Sequence, residues 1–251
     1  MKKTKTVFKH VRNTENIGDA SCCPVDYFPF ENSVALDLNE KTPKCNAVIY
    51  GGGKIFGGLY KEMERNDRDA KHRIAWGVGT TQSNPFSPNY YFSRRAMSLI
   101  GSRDYGDKRY EYAPCVSCMS NLFDQGYEES NEIVFYYHES KTEKMGITIS
   151  DNILKLSNNC RSMREAIEFI GSGHTVVSNS YHGVYWGLLL GKNVLCVPFS
   201  GKFSNYRIDP GYASAKNWQE NIGSAKRSDE MLSICRQATQ RFYEKVCDRI
   251  Q

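Results

Sequence analysis

The sequence predicts an α/β protein with parallel sheets between helix layers, arranged as two lobes. Three observations predict it. Short runs rich in β-branched and aromatic residues recur along the chain, each closed by glycine or polar punctuation. Most of these runs are continuously apolar rather than alternating, which is the pattern of strands buried on both faces. Segments with apolar residues at helical spacing fall between them.

In order, strands are expected over 6–11, 33–38, 47–50, 73–77, 97–102, 133–137, 175–178 and 193–198. A helix over 162–170 places Met163, Ala166, Ile167 and Ile170 on one face. The run 185–190 follows a glycine and reads as the start of a buried helix. The segment 229–250 carries Met231, Leu232, Ile234, Cys235, Ala238, Phe242 and Val246 at helical spacing, with Asp229 near its start. Between two apolar runs lies the polar, glycine-containing stretch FDQGYEESN at 123–131. It sets the expected boundary: an amino-terminal lobe over 1–125 and a carboxy-terminal lobe over 126–251 that includes the closing helix.

Composition narrows the function classes. With 251 residues, 40% of them hydrophobic, the chain can bury a core without help from disulfides or metals. The balance of 33 Lys+Arg against 28 Asp+Glu leaves +5, a mild excess that suits anionic small molecules and falls short of a nucleic-acid binder. Sixteen Tyr and twelve Phe suit a sugar site and a packed core equally. The basic first residues lack the apolar run of a signal peptide, and no stretch approaches the ~20 apolar residues of a membrane span. Nine cysteines, an odd number without an export signal, read as reduced thiols in a cytoplasmic protein. The pair Cys115 and Cys118 is a CxxC without a second ligand pair, so no metal site is expected and the thiols read as structural.

Four groups of residues fall at expected strand ends, where open α/β sheets place their ligands. Asn16, Gly18 and Asp19 follow the first strand; Asp19 reads either as a general base or as a helix cap. Gly51, Gly52 and Gly53 with Lys54 follow the third, as an anion-binding loop or a tight turn. The string matches neither a Walker A nor a GxGxxG fingerprint. Arg103 and Asp104 follow the fifth, where Arg103 can hold a phosphate or carboxylate or pair with Asp104 across the turn. Ser178, Asn179, Ser180, Tyr181, His182 and Gly183 end a strand and open a helix; His182 can act as acid, base or phosphate ligand, or be structural. Lys202, after the next strand, is a further anion contact.

The order of these motifs resembles the polysaccharide pyruvyl transferase family. The chain has NxGD at 16–19, GGG at 51–53, WGxG at 76–79, RD at 103–104, SxxxHG at 178–183 and GxxVxxxP at 191–198, then Lys202. The resemblance implies two Rossmann-like lobes facing a cleft, as in GT-B glycosyltransferases. It also implies transfer of the enolpyruvyl-derived unit of phosphoenolpyruvate to a nucleotide- or lipid-linked sugar, giving a pyruvate ketal of a cell-surface polysaccharide or its precursor, with no cofactor. Asp19 and His182 would be the acid–base pair. Arg103 would be an anion contact, assisted by the glycine loop and Lys202. The chain departs from the pattern at Ser180, where many members carry arginine. That departure keeps two alternatives open: a GT-B glycosyltransferase using a nucleotide sugar, and a non-catalytic sugar-binding relative.

Overall fold

The computed structural model describes residues 6–81 and 84–251. They form two units. The first holds the chain up to Thr14, Asp19–Met119 and Cys235–Gln251; the second holds Glu15–Gly18 and Ser120–Ile234. Eleven strands are present among the described residues: β1 (Thr6–His10), β2 (Ser33–Asp37), β3 (Ala47–Gly51), β4 (His72–Val78), β5 (Leu99–Ser102), β6 (Glu111–Tyr112), β7 (Asn131–Tyr137), β8 (Leu154–Ser157), β9 (Gly173–Ser178), β10 (Asn193–Cys196) and β11 (Gly211–Tyr212). The α-helices are α1 (Ile17–Ala20), α2 (Leu59–Asn66), α3 (Pro88–Ala96), α4 (Glu139–Thr142), α5 (Met163–Gly171), α6 (Tyr181–Leu189) and α7 (Met231–Ile250).

The first unit's sheet has the order β2-β1-β3-β4-β5-β6, with every neighbouring pair parallel. Its apolar strands are buried on both sides because the pleat sends alternate residues to opposite faces. Val7, Val48, Tyr50 and Ala75 meet Leu59 and Met63 of α2 and Tyr90 of α3. Phe8, Ile49, Ile74 and Trp76 meet Phe28, Val116 and, from α7, Phe242 and Val246. The closing helix, expected with the second lobe, therefore belongs to the first from Cys235 onward, because its apolar stripe covers this face. At Gly101 a Cβ would lie 2.6 Å from the Phe242 ring, so glycine permits that approach.

One strand hides a charge. Lys9, inside the apolar run of β1, is fully buried. Its ammonium donates to Asp67 at 3.0 Å and to the Glu40 carbonyl at 2.7 Å, while Thr42 and Tyr50 donate their hydroxyls to the same carboxylate. Every strong group in the cluster is thus satisfied.

The second unit's sheet has the order β11-β10-β9-β7-β8, again wholly parallel. Phe135, Val177, Leu195 and Val197 line one core with Trp218. On the other face, Gly187 of α6 lies against Val176 and Val194, and Tyr136 packs with Trp186. All nine residues of α6 are buried, which explains why an apolar run without an amphipathic stripe still forms a helix. That helix opens at Tyr181 rather than Tyr185, which puts His182 in its first turn.

All eight expected strands are present, with ends shifted by one to two residues. The unforeseen strands are edges: β6 and β11 have two residues each, and β8, LKLS, is half exposed. Edge strands need little apolar sequence, so periodicity is silent there. Likewise α2 buries only Leu59 and Met63 in an otherwise charged segment.

Candidate functional site

Both sheets reverse strand order after their first strand. The chain steps outward from β1 to β2, then returns across β1 to β3; in the second unit it does the same through β7, β8 and β9. In open α/β sheets the ligand crevice lies outside the carboxyl ends of the strands at that reversal. The first sheet places the Gly51–Gly53 loop there, and the second places the turn from Ser178 to His182.

In the second unit the turn is built from its own polar groups. The Ser178 hydroxyl donates to the Tyr136 carbonyl at 2.6 Å and accepts from the Ser180 N–H at 3.0 Å. The Asn179 amide donates to the Thr142 hydroxyl at 2.9 Å, and its carbonyl accepts from the His138 N–H at 2.8 Å. Both side chains are fully buried and hold β7, β9 and α4 in register. Gly183 is required by packing, since a Cβ would lie 2.3 Å from Ser178 Oγ and 2.5 Å from the Tyr136 ring. Ser180 is the N-cap of α6, with extended backbone, yet its hydroxyl accepts no capping bond. His182 follows two residues later, buried beside the rings of Tyr181 and Trp186 at 5.5 and 5.2 Å.

The early motif joins this turn. The segment Glu15–Gly18 belongs to the second unit, where the Ile17 N–H donates to the Asn158 carbonyl at 2.9 Å. Asn16 accepts the Gly18 N–H on its side-chain carbonyl at 3.2 Å, an Asx turn that aims the chain into α1. Gly18 lies against His182: a Cβ would sit 2.1 Å from the imidazole Nδ1. The asparagine and the glycine of the motif therefore each have a geometric reason. Asp19 comes after the first residues of α1, so it does not cap that helix, and it belongs to the first unit.

In the first unit the glycine loop packs on Cys22. A Cβ at Gly51 would lie 2.6 Å from the Cys22 carbonyl, and one at Gly52 would lie 2.2 Å from Cys22 Cβ. Gly52 and Gly53 also adopt φ of +57° and +73°, the left-handed region. The α-helix after the loop starts only at Leu59, so the loop is not itself a helix N-terminus. Arg103 is buried below it. Its guanidinium would lie 3.4 Å from a Cβ at Gly79, and the Gly79 N–H donates to the Gly53 carbonyl at 2.8 Å. Asp104 does not pair with Arg103; its carboxylate accepts the N–H groups of Thr80 and Thr81 and the Thr81 hydroxyl, each at 2.8 Å. The Cys22 and Cys115 sulfurs are 3.5 Å apart, and their shared hydrogen bond with burial pushes the Cys22 thiol well above its ordinary range. All nine cysteines are free thiols. Lys54 is exposed, and Lys202 lies in the second unit, half-buried against Phe199 and Phe203.

The fold thus brings Gly53, Gly79 and Arg103 together in one unit and Asn16, Gly18 and His182 in the other. Sequence reasoning missed Asn158, which receives the early motif, because it follows the unforeseen β8. It also missed Asp37 at the end of β2, whose carboxylate accepts the N–H groups of Arg12 and Asn13, each at 2.9 Å, and so anchors the loop after β1. An Asp closing an apolar run was the available signal.

These features define a class: two successive Rossmann-like parallel α/β units, the GT-B-like fold class, with polar turns at both strand-order reversals. The chain is similar in structure to UDP-GlcNAc 2-epimerase from Neisseria meningitidis, solved bound to UDP-GlcNAc, with a TM-score of 0.58 at 9% identity over 97% of this chain and 99% of that one. It is also similar to an uncharacterized protein from Klebsiella pneumoniae, with a TM-score of 0.52 at 15% identity over 79% of this chain and 84% of that one. No protein-family model and no curated protein sequence matches the chain. No helix among the described residues is long and apolar enough to cross a membrane.

Proposed function

We propose that this protein is a pyruvyl transferase that moves the enolpyruvyl-derived unit of phosphoenolpyruvate onto a sugar. The observation that carries the reading is the meeting of Gly18 with His182 at the carboxyl end of β9. Two motifs far apart in the family-like series converge, and the histidine explains why residue 18 is glycine. Fold likeness to an enzyme that handles a sugar nucleotide is compatible with a nucleotide-linked acceptor.

In this reading His182 and Asp19 move protons. The methylene carbon of phosphoenolpyruvate takes a proton, and the adjacent carbon gains oxocarbenium character. One sugar hydroxyl attacks that carbon and loses its proton. A second hydroxyl then forms the other C–O bond as the C–O bond to phosphate breaks. Two hydroxyl protons are released, one ending on the methyl group and one with the departing phosphate. Cationic groups near the phosphate stabilise its developing charge. The resemblance implies Arg103 for this role, with Lys202 assisting.

The test is phosphate release from phosphoenolpyruvate in the presence of nucleotide-linked sugars, followed by phosphorus NMR. His182→Ala and Asp19→Ala should each lose most turnover while remaining folded by circular dichroism. Full activity in both folded variants would remove the acid–base assignment.

A second reading is a glycosyltransferase acting on a nucleotide sugar. The departure at Ser180 favours it, because a carboxylate-bearing donor loses a guanidinium partner there. Transfer from a nucleotide sugar without phosphoenolpyruvate binding would select it.

A further inference from the structure

Of the five large hydrophobic side chains exposed among the described residues, three lie between positions 86 and 92: Phe86 at 93%, Tyr91 at 51% and Phe92 at 43%. An apolar side chain exposed singly is ordinary, but a contiguous group marks an interaction surface. These three are held in place. Asn84 accepts the Phe86 N–H on its side-chain carbonyl at 3.0 Å and the Ser87 N–H on its main-chain carbonyl at 3.1 Å, which ties the turn carrying Phe86. Ser87 then caps α3 by accepting the Tyr90 N–H at 3.2 Å, and Pro88 opens the helix.

Within α3, Tyr90 and Ser93 are buried, which leaves Tyr91, Phe92, Arg94 and Arg95 on the outer face. The outer side chains touch one another. Phe92 stacks on Tyr60 of α2 at 4.8 Å and meets Tyr91 edge-on at 5.4 Å. The Arg95 guanidinium lies 5.7 Å from the Tyr91 ring centroid and donates to the Tyr91 hydroxyl at 3.3 Å. Tyr60, Phe92, Tyr91 and Arg95 therefore form one strip, with Phe86 on the turn that leads into it.

The charge around the strip has one sign. No Asp or Glu occurs between Asp69 and Asp104. Neither Arg94 nor Arg95 meets a carboxylate among the described residues, and Lys54 and Lys61 are exposed close by in sequence to Tyr60. The acids of α2, Glu62 and Glu64, are paired with Arg65 and Arg68. A two-fold contact between copies through this face would set the arginines of one copy against those of the other, which disfavours it. An anionic bilayer satisfies both halves of the strip: the rings enter the boundary between headgroups and acyl chains, and the guanidinium groups bind lipid phosphates.

We propose that the outer face of α3, with Phe86, Tyr91, Phe92, Arg94 and Arg95, docks the protein peripherally on an anionic lipid bilayer. The connection that carries Phe86 leaves the carboxyl end of β4, where the Gly79 N–H donates to the Gly53 carbonyl at 2.8 Å. Docking there sets the ligand edge of the first sheet beside the lipid headgroups. The proposal goes beyond the pyruvyl-transfer reading and does not rest on it; where both hold, a lipid-linked acceptor is favoured over a nucleotide-linked one.

The experiment is co-sedimentation of the full chain with vesicles of phosphatidylcholine alone and of equal parts phosphatidylcholine and phosphatidylglycerol. Wild type should partition onto the anionic vesicles only, and less as salt rises. Arg94→Gln with Arg95→Gln should lower partitioning about twentyfold, and Phe86→Ala with Phe92→Ala about tenfold. Leu154→Ser with Lys155→Gln, an exposed apolar and basic pair in the second unit, is the control and should change nothing. Circular dichroism confirms that each variant is folded. Phe86→Trp gives a second readout that needs no loss of binding, because the native Trp76, Trp186 and Trp218 are buried. Its fluorescence should shift to the blue on anionic vesicles and be quenched by brominated lipid. Wild type that stays off anionic vesicles at low salt, variants that partition equally, or an unquenched indole would each overturn the proposal. Self-association lost in the same variants, without vesicle binding, would overturn it in favour of a contact between copies. None of these failures touches the pyruvyl-transfer reading, whose phosphate release is measured without vesicles.

Discussion

Replacing Gly18 by alanine tests the central contact without knowledge of the substrate. The added Cβ would lie 2.1 Å from His182 Nδ1, 2.5 Å from Cγ and 2.8 Å from Cβ. Non-bonded heavy atoms prefer roughly 3.5–4.0 Å, so all three atoms are overlapped, the nearest by roughly 1.4 Å or more. The imidazole cannot simply retreat: His182 is 3% exposed, with Tyr181 and Trp186 against it. Either the 15–18 segment lifts from Asn158 or the ring is displaced. Overpacking of this kind costs about 1–3 kcal/mol, and a displacement near 1 Å of a catalytic group lowers rates about a hundredfold. Urea unfolding reads the first effect and the histidine imidazole NMR signals read the second. Gly58→Ala is the control, since a Cβ there meets nothing within 4 Å. A Gly18→Ala protein with wild-type stability and an unshifted His182 resonance would refute the contact, and with it the reason given for the glycine.

Three further changes probe other parts of the structure. Asp67→Ala should destabilise the protein by roughly 3–5 kcal/mol in urea unfolding, because it leaves the fully buried Lys9 ammonium without its counter-charge; a loss under about 1 kcal/mol would mean that water reaches Lys9. Burial alone would raise the Asp37 carboxyl, but the N–H groups of Asn13, Asn39 and Arg12 outweigh it and hold the group below its usual value. Its contribution is therefore complete above the unfolded-state value of about 3.9 and is lost as pH falls through the lower folded value. Asp37→Asn should accordingly be less stable than wild type at pH 6, with the gap closing below about pH 4; a gap independent of pH would show that the charge contributes nothing. Ser180→Arg should tighten phosphoenolpyruvate binding in calorimetric titration, and unchanged affinity would place the donor away from this turn.

The legible part of this protein was its buried parallel framework. Strands covered on both faces leave continuous apolar runs, so β1, β3, β4, β7 and β9 could be read directly, and the residues that end them marked the loops. Where the framework meets solvent the signal failed: β6, β8 and β11 are short edges, and α2 buries one narrow stripe. Lys9 escaped notice because a single charge in an apolar run looks like an exposed residue, and its partner Asp67 is distant in sequence. The partition at 125 missed the return of α7 because an amphipathic helix announces an apolar face but not the sheet it will cover.

The site motifs were legible as sequence strings, but their physical meanings divide unevenly. Gly51 and Gly52 are glycine because Cys22 occupies the space of their side chains, and Gly52 adds a left-handed backbone. Packing alone accounts for these two, so they carry less weight for anion binding than the string suggests. A Cβ at Gly53 would meet only Ile55 at 3.5 Å, but its φ of +73° accounts for glycine there too, so the chemical potential of that loop rests on Arg103, which lies beside Gly79. In the second unit the same scrutiny points the other way. Ser178, Asn179 and Gly183 are framework, and what they frame is His182 in the first turn of α6 and a Ser180 whose hydroxyl makes no capping bond. A framework of three buried polar or glycine positions around one histidine is more than stability requires of a strand–helix turn, because an apolar turn would cost fewer buried hydrogen-bonding groups. That excess of organised polarity is why the second unit's turn is the first place to look for the chemistry.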